Sequence, residues 1–119
     1  MPNKPKPPEA TAAASPAQLA SVFFALGDVT RLRLVAVLCA GGAFSITQLT
    51  ANTDISRQAV TKHLQVLADA GLVQDLKIGR ERLWQFDPTQ MEAARQSLEV
   101  IGGQWDAALA KLKAFAEIP

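Results

Sequence analysis

The stretch ISRQAVTKHLQVLADAGLV, residues 55–73, constrains the fold more than any other part of the chain. Ser56 is a helix N-cap residue and Gly71 a helix terminator, with apolar residues recurring between them at helical spacing. At about 100° per residue, Val60, Leu64 and Leu67 fall within about 60° of one another and form a seam to be buried. The opposite side displays Gln58, Thr61, Lys62 and Gln65, with Arg57 in the first turn. Just past Gly71 the period changes to that of strands. The segments LVQDLKI (72–78) and ERLWQF (81–86) flank Gly79-Arg80, a two-residue hairpin turn marked by glycine.

The segments before and after are helical. Pro16 suits a first helical position, and Leu19, Val22, Phe23 and Leu26 form a stripe ending at Gly27. Asp28 caps a second helix that turns Leu32, Val35 and Leu38 or Cys39 inward and stops at Gly41-Gly42. Ser45 or Thr47 caps a short third helix, Gln48 to Asn52, anchored by Leu49. Pro88 opens a long helix to about residue 117. The expected fold is mainly α with a small β-hairpin, in the order α-α-α-α-β-β-α. Residues 1–15, MPNKPKPPEATAAAS, carry four of the seven prolines and almost no large apolar side chain. They are expected to form a disordered N-terminal tail, leaving residues 16–119 as one folded domain.

Two short helices joined by ANTD (51–54) make a helix-turn-helix, whose second helix can lie in a DNA major groove. The side chains suit that use. Arg57 can bond guanine O6 and N7, Gln58 can pair with adenine, and the Thr61 methyl can touch thymine. Ser56 and the helix N-terminal amides suit a phosphate, Lys62 and Gln65 extend the polar face, and Arg80 and Arg82 stand at the tip of a wing. Arg82 shares its strand face with Trp84 and Phe86, a face open to burial. His63, the only histidine, either meets DNA or satisfies a backbone group inside the domain.

Composition limits the alternatives. The net charge of the 119 residues is only +1, so bulk charge does not announce a nucleic-acid binder. Residues 55–82 are locally basic, with five Lys/Arg against three acids. The single cysteine, Cys39, excludes an internal disulfide and is expected to pack as a small core residue. The longest apolar run, 34–44, is 11 residues, short of a membrane span, and no secretory signal opens the chain. A cytoplasmic protein with no membrane partner is expected. No glycine-rich phosphate loop, His-Glu-x-x-His or nucleophile elbow is present, so an enzyme is not expected. The competing readings are an interaction module built on a degenerate winged helix and a MarR-type regulator, which normally carries extra terminal helices.

In the last helix, Met91, Ala94, Leu98, Ile101, Trp105, Ala108 or Leu109, Leu112 and Phe115 or Ala116 recur at spacings of three and four. This seam suits a helix–helix interface between two copies. Leu19, Val22 and Phe23 of the first helix are expected to join Leu98, Ile101, Trp105, Leu109 and Leu112 in it.

These motifs resemble the ArsR/SmtB family of bacterial winged helix-turn-helix repressors over roughly residues 17–115. ALGDVTRLRLV (25–35) is similar to the family's Ala-Leu-x-Asp-Pro-Thr-Arg motif, with Val29 in place of proline. SRQAVTKHLQVLADAGLV (56–73) and GRERLWQFDP (79–88) resemble its recognition helix and wing, with Arg57 where glutamine is common and Trp84 where tyrosine often stands. The resemblance implies a homodimeric repressor on a pseudo-palindromic operator, with DNA contacts at Arg57, Gln58, Thr61, Lys62 and Arg80. It also implies release by an inducer, here a small molecule of unidentified chemistry. The family's Cys-x-Cys metal positions hold Ser45 and Thr47, and residues 88–119 contain no histidine, so no metal or other cofactor is expected.

Overall fold

A computed structural model describes residues 13–117. The element order is α1 (Pro16–Leu26), α2 (Val29–Cys39), β1 (Ala43–Ser45), α3 (Ile46–Thr50), α4 (Arg57–Asp69), β2 (Val73–Ile78), β3 (Glu81–Phe86) and α5 (Pro88–Ala116). Each helix start has a side-chain cap. Ser15 and Gln18 form a capping box on α1, and Ser45 and Gln48 form another on α3. The carboxylate of Asp28 accepts the Arg31 amide at 3.1 Å, and the Ser56 hydroxyl accepts the Ala59 amide at 3.1 Å.

The sheet order is β1-β3-β2, with both pairings antiparallel. The hairpin turns at Gly79-Arg80, where φ is positive (+63°) at Gly79 but not at Arg80, the II′ arrangement. Val60, Leu64 and Leu67 of α4 meet Val22 and Ala25 of α1, Leu34, Val35 and Leu38 of α2, Leu49 of α3, and Trp84 of β3 in one core.

Several details correct the sequence expectations. The element order gains β1, a three-residue strand registered as Phe44 opposite Trp84. Ser45, not Thr47, caps α3, which therefore starts at Ile46. In α2 the buried residues are Leu34, Val35 and Leu38, whereas Leu32 faces out. The run LRLVAVL is apolar almost all round, so periodicity alone does not choose its inner face. Cys39, at the last turn of α2, is exposed rather than core. The expected tail boundary also shifts. Ala14 donates to the Ala93 carbonyl at 3.2 Å and accepts from the Ser97 hydroxyl at 2.9 Å, while Ser15 belongs to α1 as its cap. Two hydrogen bonds thus lay the strand of chain before α1 along α5. Residues 1–12 of the expected tail lie outside the described residues.

Candidate nucleic-acid interface

The turn between α3 and α4 is held by its own polar groups. Thr53 donates from its amide to the Thr50 carbonyl at 3.0 Å and from its hydroxyl to the same oxygen at 3.1 Å. Ile55 tucks against the core, which fixes where α4 begins. Because Val60, Leu64 and Leu67 are buried, the opposite side of α4 is turned to solvent.

Arg57, Gln58, Thr61 and Lys62 line one open groove of about 680 Å³, together with Ile46 of α3 and Arg82 of the wing. The groove therefore gathers polar side chains from α4 and β3 that are 20 or more residues apart in sequence. Thr61 donates its hydroxyl to the Arg57 carbonyl at 2.8 Å, which leaves its methyl group for an apolar contact. Among the described residues, Arg57, Lys62 and Arg80 enter no ion pair. Arg80 is exposed at the second turn position.

Other expected DNA-facing residues are already engaged. Arg82 is not buried, but Asp75 on the neighbouring strand accepts its Nε at 2.7 Å and its guanidinium lies 4.9 Å from the Trp84 ring. Gln65 is exposed on the polar side, yet it donates to Asp69 at 3.0 Å and does not line the groove. Ser56 spends its oxygen on the helix cap and keeps its O–H to donate.

His63 departs furthest from the DNA-facing expectation. Its Nδ1 lies 3.2 Å from the Arg31 guanidinium and 4.0 Å from Asp28, on the flank of α4 turned toward α2. Its partners are side chains, not the backbone group considered from sequence. The Asp28 carboxyl sits below the ordinary carboxylate range, first because the Arg31 amide donates to it, with the Arg31 charge adding to the effect. Neither Arg31 nor Ile46 stands out by periodicity in the sequence, and Arg31 enters only as part of the ALGDVTRLRLV motif.

A second surface is apolar. Past Ser97, α5 carries Leu98, Val100, Ile101, Trp105, Leu109, Leu112 and Phe115, all exposed. Phe23 of α1 is exposed beside them, and Leu19 is half-buried at the edge of a 370 Å³ hollow shared with Ile101. Val22 does not belong to such a face. It is 1% exposed and packed in the core of its own chain, because α1 turns it toward α4 and α5. Partial desolvation by its neighbours pushes the thiol of the exposed Cys39 up from its ordinary value, and no group of three or more His, Cys, Asp or Glu is placed to hold a metal ion among the described residues. Nor is any described helix long and apolar enough to cross a membrane.

Comparison with known proteins agrees with this geometry. A helix-turn-helix domain family matches residues 26–74, the segment from the end of α1 to the start of β2. The HTH-type transcriptional regulator Rv2034 of Mycobacterium tuberculosis is 41% identical over 75 residues, which cover 63% of this chain and 69% of that protein. The ArsR-like transcriptional regulator from Rhodococcus sp. RHA1 superposes with a TM-score of 0.77 at 39% identity, covering 87% of this chain and 96% of that one. The homodimeric winged helix-turn-helix DNA-binding domain Mb0332 of Mycobacterium bovis shares the fold at 22% identity and a TM-score of 0.57, over 78% of this chain and 82% of that one. Fold, groove and relatives converge: the chain belongs to the ArsR family of winged helix-turn-helix transcriptional regulators, which bind DNA and are not enzymes.

Proposed function

We propose that the chain is a homodimeric repressor that lays α4 in the major groove of a pseudo-palindromic operator. The observation that carries this reading is the groove shared by Arg57, Gln58, Thr61, Lys62 and Arg82. In it, Arg57 and Gln58 read base edges from the first turn of α4, and the Thr61 methyl meets a thymine. Lys62 and the Ser56 hydroxyl take phosphates, and Arg80 reaches the backbone or minor groove from the wing. Gln65 sits a turn farther along and His63 faces α2, so both leave the set of direct contacts. Two copies join through the apolar face of α5 with Phe23 and Leu19, which sets two recognition helices about one DNA turn apart. The protein acts in the cytoplasm on double-stranded DNA, and an inducer would act by favouring the dimer arrangement that does not fit the operator.

The experiment is selection of bound fragments from the source genome, followed by titration of the variants at two salt concentrations. Gln58→Ala or Thr61→Ala should cost about 1–3 kcal/mol on the selected site and little on random duplex, since base contacts specify. Lys62→Ala should weaken both and flatten the salt dependence, since a phosphate contact carries no sequence information. Equal losses for all three on random DNA would overturn the assignment.

A further inference from the structure

Arg31 spends its guanidinium on three partners in two other helices. Its Nε donates to the Ala25 carbonyl at 2.6 Å and its Nη2 to the Phe24 carbonyl at 3.2 Å, both in the last turn of α1. Both carbonyls lie in the last turn, where i+4 amides run out; that of Phe24 also accepts the Gly27 amide at 3.1 Å, and a cation there suits the helix dipole. Phe24, in turn, lies under the guanidinium at 5.5 Å. The third arm, Nη1, lies 3.2 Å from His63 Nδ1 on α4. A guanidinium only donates, so Nδ1 is the acceptor and the imidazole proton sits on Nε2. Asp28 holds the Arg31 amide from below, so the guanidinium is fixed at its own root.

The place where this fork grips α4 matters. On a helical wheel His63 stands about 140° from Gln58, away from the polar face that lines the groove. A bond there touches no DNA, yet it resists rolling of α4 about its own axis. Roll is the freedom that would carry Gln58 and Thr61 off the base edges, because the buried seam of Val60, Leu64 and Leu67 is apolar and non-directional. The other end of the fork is α1, which packs on α5 and so lies between the recognition helix and the apolar face.

We propose that Arg31 is a positioning residue for operator recognition, acting through His63 Nδ1 to fix the roll of α4 relative to α1. The proposal rests on the reading of α4 as the recognition helix. It assigns function to the arginine of the ALGDVTRLRLV segment without any contact between that arginine and DNA.

The test is a double-mutant cycle between Arg31→Gln and His63→Leu, measured on the selected operator fragment and on a random duplex of equal length. His63→Leu fills the same space but accepts nothing, and should lose roughly fivefold or more in operator affinity. Random-duplex affinity should change by less than about twofold, the ordinary scatter of independent sites. His63→Asn, whose amide oxygen hangs from the same γ-carbon as Nδ1, should restore operator binding to within about twofold. The double variant should lose no more than the worse single variant. Additive losses would mean that His63 meets DNA on its own, and equal behaviour of His63→Leu and His63→Asn would mean that no polar link is involved. Either result overturns the proposal. Should Arg31→Gln fail to fold for want of the α1 bonds, the two His63 variants decide alone, since they leave those bonds in place. Gln58→Ala is the control for the underlying reading. If it lowers operator affinity while the His63 variants do not, only the positioning role falls. If it changes nothing, the reading of α4 falls as well.

Discussion

Arg80 and Arg82 stand two residues apart on the same wing, and the structure gives them different freedom. Arg80 is exposed in the turn without an ion pair, while Arg82 is held by Asp75 at 2.7 Å and rests on Trp84. Strand alternation in the sequence put Arg82 on the Trp84 face but did not show its partner. Asp75 faces Trp84 in the register and reaches Arg82 along the diagonal, a relation that exists only once β2 and β3 are paired. The sequence leaves His63 open between two roles for a similar reason, since Arg31 is 32 residues away in the chain. Two outcomes follow for the wing. Arg80→Ala should weaken binding to any DNA while leaving the melting temperature within about 1 °C, because an exposed turn side chain buries little. A melting loss as large as that of a core truncation would make Arg80 structural instead. Asp75→Asn should release the Arg82 charge to the phosphates, raise affinity on random duplex and steepen the salt slope by about one. Unchanged salt dependence would show that Arg82 stays on Trp84 and does not reach DNA.

Helix ends were the most legible elements, because each is written in side chains close in sequence. Ser15, Asp28, Ser45 and Ser56 all act as caps, and their acceptor bonds are to amides three residues on. The strand β1 was not legible, since Ala43-Phe44-Ser45 becomes a strand only by pairing with Gln85, Trp84 and Leu83, some 40 residues later. Nothing local distinguishes it from a linker. Gly71 shows how a terminator signal can also be a packing requirement. Its φ is +78°, and a Cβ built there would come 2.6 Å from Cγ of Gln90 at the start of α5. Gly79 has a φ of +63° but nothing within 4 Å of such a Cβ. Gly79→Ala should therefore cost about 1 kcal/mol for the left-handed backbone alone. Gly71→Ala adds displacement of Gln90 and should cost about 2–3 kcal/mol in urea unfolding. Equal losses at the two positions would show that Gln90 yields freely and that only the backbone matters.

Past Ser97, α5 projects beyond the domain it leaves. A 29-residue helix runs about 43 Å at 1.5 Å per residue, longer than the core it leaves. Its first turns bury Ala93, Ala94 and Ser97 against the chain's own domain, while Trp105 is 63% and Phe115 73% exposed. The seam read from sequence thus divides by position, its first part serving the core and its remainder left uncovered. Gly102 and Gly103 lie within the uncovered part and have nothing within 4 Å of a Cβ position, so a second helix can approach closely there. An apolar face of this extent on a charged, water-exposed helix needs a cover, and the second copy proposed above would supply one of matching period. Trp105→Glu puts a carboxylate in the middle of that face without touching the core. The variant should sediment as a monomer at micromolar concentration, keep most of its helical circular dichroism and retain only weak, non-specific DNA binding. Its operator affinity should fall by far more than twofold, because a single recognition helix loses the second half-site and the spacing of about 34 Å that matches one DNA turn. A wild-type chain that is monomeric at micromolar concentration yet binds its operator tightly would overturn the dimer. So would a Trp105→Glu variant with undiminished operator binding.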